Sequence, residues 1–214
     1  MVNEYNDPGY RPMTTINLAG FLPRSAVNGP GIRAVVWVQG CPFRCEGCFN
    51  PHFQPFVSAD QTDAGALAAR IIALPALDGV TFSGGEPFAQ ARPLAHLGKL
   101  LKRSGLDILT YTGYPVEDLL ETRNPAWQDL ILVSDILVAG PFRKELACSG
   151  SMAGSSNQRI VPLTARGRTA LAAAGAGTRG AAMEFTIDRA GTVTTTGFPE
   201  TVFLQQLARR TGDA

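Results

Sequence analysis

Short β-rich runs alternate with helix-period segments along most of this 214-residue chain, and that alternation narrows the fold more than any other feature. Residues 34–38, 80–83, 107–111, 136–138 and 159–161 read as strands. Between the first two, Leu67, Ile71 and Leu74 fall on one helix face behind a cap at Thr62 or Asp63. Leu94, Leu97 and Leu101 mark a second helix, closed by Gly105. Residues 116–120 begin a third, which breaks at Asn124-Pro125 and resumes around Trp127, Leu130 and Ile131. Strands separated by helices predict an α/β fold built from βα units around a mostly parallel sheet. Such sheets carry their chemistry beyond the carboxyl ends of the strands. Four polar or glycine-rich loops follow predicted strands: the window from Cys41, Ser83-Gly84-Gly85-Glu86, Thr112-Gly113-Tyr114 and Ala139-Gly140-Pro141. The pattern therefore predicts all four on one rim.

The rest of the chain is plainer. Residues 1–17 read as a flexible N-terminal tail, and 18–214 as one domain ending in a hairpin or helix extension. Residues 169–182 are rich in alanine and glycine and predict a short helix followed by a mobile loop. Residues 183–187 and 192–196, around Ala190-Gly191, predict a hairpin. Apolar residues make up 45%, charged residues 17%, and formal net charge is +1, so neither a nucleic-acid footprint nor a membrane surface is implied. No apolar run approaches the ~18 residues of a membrane span.

Three of the four cysteines lie at Cys41, Cys45 and Cys48. The C-x3-C-x2-C spacing lets three thiolates converge on one soft metal centre, and it argues for a metal site in a reducing cytoplasm rather than a disulfide scaffold. Three thiolates leave one corner of a cubane iron–sulfur cluster without a protein ligand, open to a small molecule. A structural zinc site using His52 as fourth ligand is the alternative, and the spacing favours the cluster over it. Cys148 stands apart and reads as an incidental thiol. After the second strand, Gly84 and Gly85 offer bare backbone to a ligand, and Glu86 offers a carboxylate to a ligand ammonium. An amino-acid end could chelate an open iron through its amine and carboxylate while Glu86 holds the amine.

These motifs together resemble the radical S-adenosylmethionine superfamily, and within it the small activating enzymes of glycyl-radical enzymes. Asn28-Gly29-Pro30-Gly31-Ile32-Arg33, ahead of Gln39-Gly40-Cys41, is similar to their Asp-Gly-Pro-Gly-x-Arg opening. Cys45-Glu46-Gly47-Cys48 with Asn50-Pro51 resembles the anaerobic ribonucleotide reductase activators. Thr112-Gly113-Tyr114 and the stretches 135–138 and 154–159 extend the likeness over about residues 20–162. The resemblance implies a partial, open parallel β/α barrel. It implies that Cys41, Cys45 and Cys48 ligate three irons of a [4Fe-4S] cluster, and that S-adenosylmethionine chelates the fourth. Gly84, Gly85 and Glu86 would line the methionine end, with Thr112 and Gly47 as further cofactor-binding positions. Reductive cleavage of the sulfonium would then give a 5′-deoxyadenosyl radical without any protein acid or base.

The expected partners are a glycyl-radical enzyme such as anaerobic ribonucleotide reductase, and an electron donor such as flavodoxin or ferredoxin, with no nucleic acid and no membrane. Asn28 and Ala139 stand where these activators carry Asp, and little after Thr164 matches. Those departures keep open a radical enzyme acting on a small molecule or peptide, and a non-enzymatic zinc module is the lesser alternative. Arg33 reads equally as a site residue and a structural ion pair. Tyr111, Tyr114 and Trp37 read chiefly as core, and Phe49, Phe53 and Phe56 as packing or shielding around the cysteine loop.

Overall fold

The computed structural model describes residues 14–148, 152–175, 183–187, 191 and 193–197. Its strands are β1 (Thr15–Ser25), β2 (Arg33–Val38), β3 (Asp60–Asp63), β4 (Gly79–Gly84), β5 (Asp107–Thr112), β6 (Ile136–Ala139), β7 (Arg159–Pro162), β8 (Met183–Ile187) and β9 (Val193–Gly197). Its helices are α1 (Ala64–Ile72), α2 (Ala91–Arg103), α3 (Val116–Leu120), α4 (Pro125–Val133) and α5 (Ala165–Ala173). Seven strands form one sheet in the order β3-β1-β2-β4-β5-β6-β7, and β8 and β9 pair separately. The centre of the sheet, β2-β4-β5-β6, is parallel, as the βα alternation requires. The fold is thus mixed α/β with a parallel core, and β3 and β7 remain as its two edges.

Alternate strand residues choose the layer. Ala34, Val36, Val38, Val80, Phe82 and Ile108 face the helices, where Leu67, Ile71, Leu94, Leu97 and Leu101 meet them in the main core. The spacing predicts that helix stripe, and Asp63 caps α1 by accepting from the Ala66 N–H at 2.9 Å. The other sheet face carries Leu109, Ile136 and Val138, covered by Ala153 and by Ala170 and Leu171 of α5.

Several expectations change. β1 begins at Thr15, inside the span expected as tail. Its sequence contains Pro23, which ordinarily argues against an interior strand. Pro23 sits in the register shift between Leu22 and Ser25, where no ladder bond is asked of it. β3 is Asp-Gln-Thr-Asp, four polar residues with no alternation to read. β7 pairs antiparallel to β6; among the described residues the intervening loop holds one short 3-10 turn, Lys144–Leu146, and no α-helix of the kind that carries a chain back for parallel pairing. α5 starts at Ala165 behind a Thr164 cap, earlier than the composition suggests. The expected tail up to residue 13, the loop over 176–182 and any helix beyond residue 197 lie outside the described residues.

Arg33 proves structural. It is fully buried, donating to Thr81 Oγ1 at 2.9 Å, Pro30 O at 3.0 Å and Val80 O at 2.9 Å. Its Nη2 also lies 2.6 Å from Asp107 Oδ1, a charge contact whose angle falls outside hydrogen-bond geometry. Both residues open their strands, so this pair stands at the base of the sheet, away from the cysteines.

Candidate active site

Parallel pairing brings the four strand ends together. Val38 pairs with Gly84, and Thr112 with Ala139, so β2, β4, β5 and β6 all release their loops on the same side. A cavity of about 640 Å³ opens there, lined by Cys41, Cys45, Cys48, Gly84, Gly85 and Glu86. Gly47 and Thr112 border it too, so every residue singled out from the sequence as a ligand or cofactor contact meets at one cavity.

Backbone bonds fix the cysteine loop at its base. Gly40 N–H donates to Phe53 O at 2.8 Å and Cys41 N–H to Gln54 O at 2.9 Å. The Gln39 amide donates to Pro55 O at 2.7 Å. The glycine pair then joins this base to β4: Gly85 N–H donates to Val38 O at 2.7 Å and Glu86 N–H to Gly40 O at 2.9 Å. That approach explains the glycines in a way the sequence does not. A Cβ at Gly84 would lie 2.4 Å from Val38 N, and one at Gly85 would lie 2.3 Å from Gly40 O. Protein backbone fills the Cβ side of each glycine, and both still line the cavity. Gly84 also sits at φ +106°, which glycine alone adopts readily.

Glu86 is buried and already well bonded. Its Oε1 accepts from Phe88 N–H at 2.9 Å and from Thr112 Oγ1 at 2.9 Å, and its Oε2 from Gly113 N–H at 2.8 Å. Burial pushes its carboxyl up to about 7, against the pull of those three donors. Oε2 keeps a lone pair, and a cation placed beside it would restore the ionised form. Thr112 is therefore first a holder of Glu86: its hydroxyl donates to that carboxylate and accepts from Tyr114 N–H at 3.1 Å.

Burial likewise raises the Cys41 thiol to about 11, and it raises Cys45. Cys41 and Cys45, disfavoured as bare thiolates, suit a cationic centre that draws off their protons, and the partly buried Cys48 stands on the same loop. Among the described residues, no group of three or more His, Cys, Asp and Glu side chains stands close enough to hold a single ion, and His52 is exposed. Three thiols on one loop suit three corners of a multi-iron cluster. Beside the loop, Phe43 meets Tyr114 edge-on at 4.8 Å, and Tyr114 packs on Trp127 at 4.4 Å. Phe49 meets Phe142 at 5.2 Å, whereas Phe56 is 70% exposed. Trp37 and Tyr111, read as core, line the cavity, and the Tyr111 hydroxyl donates to Met152 O at 2.9 Å.

Sequence reasoning misses two contributors. Asn28, from the turn between β1 and β2, borders the cavity, and so do Thr194, Thr195 and Thr196 of β9. The hairpin itself is legible from its alternation, but nothing in its residues says where it docks.

The anaerobic ribonucleoside-triphosphate reductase-activating protein of Escherichia coli K12 is 32% identical over 159 residues, covering 68% of this chain and 97% of its own. Its counterpart in Enterobacteria phage T4 is 28% identical over 151 residues, covering 68% and 93%. The pyruvate formate-lyase-activating enzyme of Clostridium pasteurianum is 40% identical over 85 residues, 37% of this chain and 36% of that enzyme. A family model described as a 4Fe-4S single cluster domain matches residues 27–161. The chain belongs to the radical S-adenosylmethionine family. As a radical S-adenosylmethionine enzyme related to the activating proteins, it takes a [4Fe-4S] cluster and S-adenosylmethionine as cofactors. Its β8–β9 hairpin falls beyond the matched residues. Among the described residues no helix is long and apolar enough to cross a membrane.

Proposed function

We propose that Cys41, Cys45 and Cys48 hold the [4Fe-4S] cluster, that Glu86 receives the ammonium of S-adenosylmethionine, and that the enzyme generates a glycyl radical on a partner protein. One observation supports this reading above others: three thiols and a buried carboxylate border one cavity, joined by a continuous backbone ladder through Gly40, Gly85 and Glu86. When bound, the two cofactors together supply a one-electron cleavage of a carbon–sulfur bond, and with it a hydrogen-abstracting carbon radical.

The chain's own residues position and protect. The ladder sets the distance between the cysteine loop and Glu86. Thr112 and the Gly113 N–H orient the carboxylate, and Gly84 and Gly85 let the two loops close on each other. Phe43 and Tyr114 on one side, and Phe49 and Phe142 on the other, limit water near the thiols. The relatives' names favour a ribonucleotide reductase as partner, with a small reduced donor such as flavodoxin or ferredoxin feeding electrons in a reducing compartment such as the cytoplasm.

The first test is anaerobic reconstitution with iron and sulfide, followed by dithionite and S-adenosylmethionine. Wild type should show a cubane electron paramagnetic resonance signal and release 5′-deoxyadenosine. Cys45→Ala should lose both. A Cys45→Ala protein that cleaves at the wild-type rate refutes the ligand assignment. Partner identity is read by mixing the loaded enzyme with a candidate reductase and looking for a glycyl radical doublet.

A further inference from the structure

In an antiparallel ladder, two facing residues of a hydrogen-bonded pair exchange two main-chain bonds. Asn17 of β1 faces Gln39, one step beyond the paired Leu18 and Val38. Gln39 N–H donates to Asn17 O at 2.8 Å. The reciprocal bond is bridged by a side chain. Gln90 Oε1 accepts from Asn17 N–H at 2.7 Å, and Gln90 Nε2 donates to Gln39 O at 2.9 Å and to Asn17 O at 3.0 Å. The amide of Gln90 thus stands in for a peptide group spliced between the two strands, with both its hydrogens engaged.

The pair it braces is the root of the cysteine loop. Gln39 Nε2 holds the loop's return limb at Pro55 O and His52 O, 2.7 and 3.3 Å away. Asn17 holds the continuation of that limb, donating from Nδ2 to Val57 O at 2.8 Å and accepting at Oδ1 from Ala59 N–H at 2.8 Å. Gln90 is also the last residue of the 3-10 turn Pro87–Gln90, which Glu86 caps. Glu86 O accepts from Ala89 N–H at 3.0 Å, so the turn is bonded within itself. At its start, Glu86 N–H is already tied to Gly40 O. One tied point leaves a short turn free to swivel, and the second, at Gln90, sets its direction. Thr112 and Gly113 bind the carboxylate to the end of β5; Gln90 keeps the same turn in step with the cysteine loop.

We propose that Gln90 is a positioning residue for cofactor binding, holding Glu86 in register with the cysteine loop so that one ligand reaches the carboxylate and the open corner of the cluster together. This rests on the reading of Glu86 as the partner of the ligand ammonium. A ligand held at two points loses affinity when their separation is wrong, even with each point intact. Gln90 stands outside the cavity lining, so it acts through Glu86 and touches no ligand.

The test uses full-length, anaerobically reconstituted protein reduced with dithionite. S-adenosylmethionine is titrated while the electron paramagnetic resonance spectrum of the reduced cluster is followed, and KM and kcat for 5′-deoxyadenosine release are measured alongside. Gln90→Met keeps the side-chain length and removes the amide. It should retain iron and an unaltered spectrum without cofactor. The S-adenosylmethionine concentration that half-converts the spectrum should rise about tenfold, and KM with it, while kcat changes less than about threefold. Gln90→Glu, which keeps the acceptor for Asn17 N–H and loses both donors, should behave alike. On a Glu86→Gln background, adding Gln90→Met should change either quantity less than about twofold, because the two residues act as one unit. Asp63→Ala, which removes the α1 cap and borders no part of the cavity, should leave both at wild-type values.

Half-conversion and KM within about twofold of wild type in Gln90→Met overturn the proposal. So does full additivity with Glu86→Gln, and so does an Asp63→Ala protein with the same defect, since general loosening would then explain it. Loss of iron in both Gln90 variants also overturns it, because the residue would then build the cysteine loop and not aim Glu86. A wild-type spectrum that does not respond to S-adenosylmethionine rejects the reading of the site itself, whatever the variants do.

Discussion

At Glu86 burial pushes the carboxyl up to about 7, and among the described residues no cation offsets it. Binding a ligand ammonium requires the ionised form, so affinity for S-adenosylmethionine should fall as pH drops through about 7. With that carboxyl mostly ionised at pH 8 and mostly protonated at pH 6, the loss should approach tenfold across the interval. Anaerobic calorimetry at the two pH values measures it, and Glu86→Gln should bind weakly at both with little slope. Gly85→Ala makes a separate claim, because its Cβ would meet Gly40 O and Phe53 O at 2.3 and 2.7 Å. Overpacking of this kind costs about 1–3 kcal/mol, and here it displaces the cysteine loop. Iron retained after reconstitution should drop before far-ultraviolet dichroism changes. Glu86 is legible in the sequence because it follows a strand and two glycines. Its three donors are not, since Gly113 and Thr112 arrive from another strand end and Phe88 donates through its backbone.

Secondary-structure elements divide by whether their pattern survives in one dimension. α1, α2 and the four parallel strands do so because burial on a helix stripe or on both sheet faces leaves periodic or continuous apolar runs. β1 does not: its Gly20 and Pro23 imitate a loop until the bulges that accommodate them are seen. β3 does not either, because an exposed polar edge strand has no apolar side to show. The orientation of β7 depends on a connection, which residue periodicity does not record. Caps at element ends are the readable exception. Asp63 accepts from the Ala66 N–H and also from the Thr14 hydroxyl at 3.0 Å. Asp63→Ala should cost about 1 kcal/mol, seen as a lower urea midpoint at unchanged slope, with cluster content intact.

On the scale of the whole molecule, the two ends of the parallel core are held by different means. Arg33 spans three neighbouring strands at the base through Thr81, Val80 and Asp107, all out of water. At the mouth, the cysteine loop relies on a few backbone bonds and on an exposed Lys144–Glu46 ion pair at 2.8 Å, of the kind worth about 0–1 kcal/mol. Arg33→Ala leaves the buried Asp107 only the half-exposed Arg166 at 4.0 Å and should cost about 3 kcal/mol, enough to merge cluster loss and unfolding into one event. In the unaltered protein the two should separate on warming: visible iron–sulfur absorbance bleaches first, while helical ellipticity persists to a higher temperature. The guanidinium at the foot of the sheet would thereby act as a keystone, leaving a cold-stored, bleached sample able to take up iron and sulfide again without refolding.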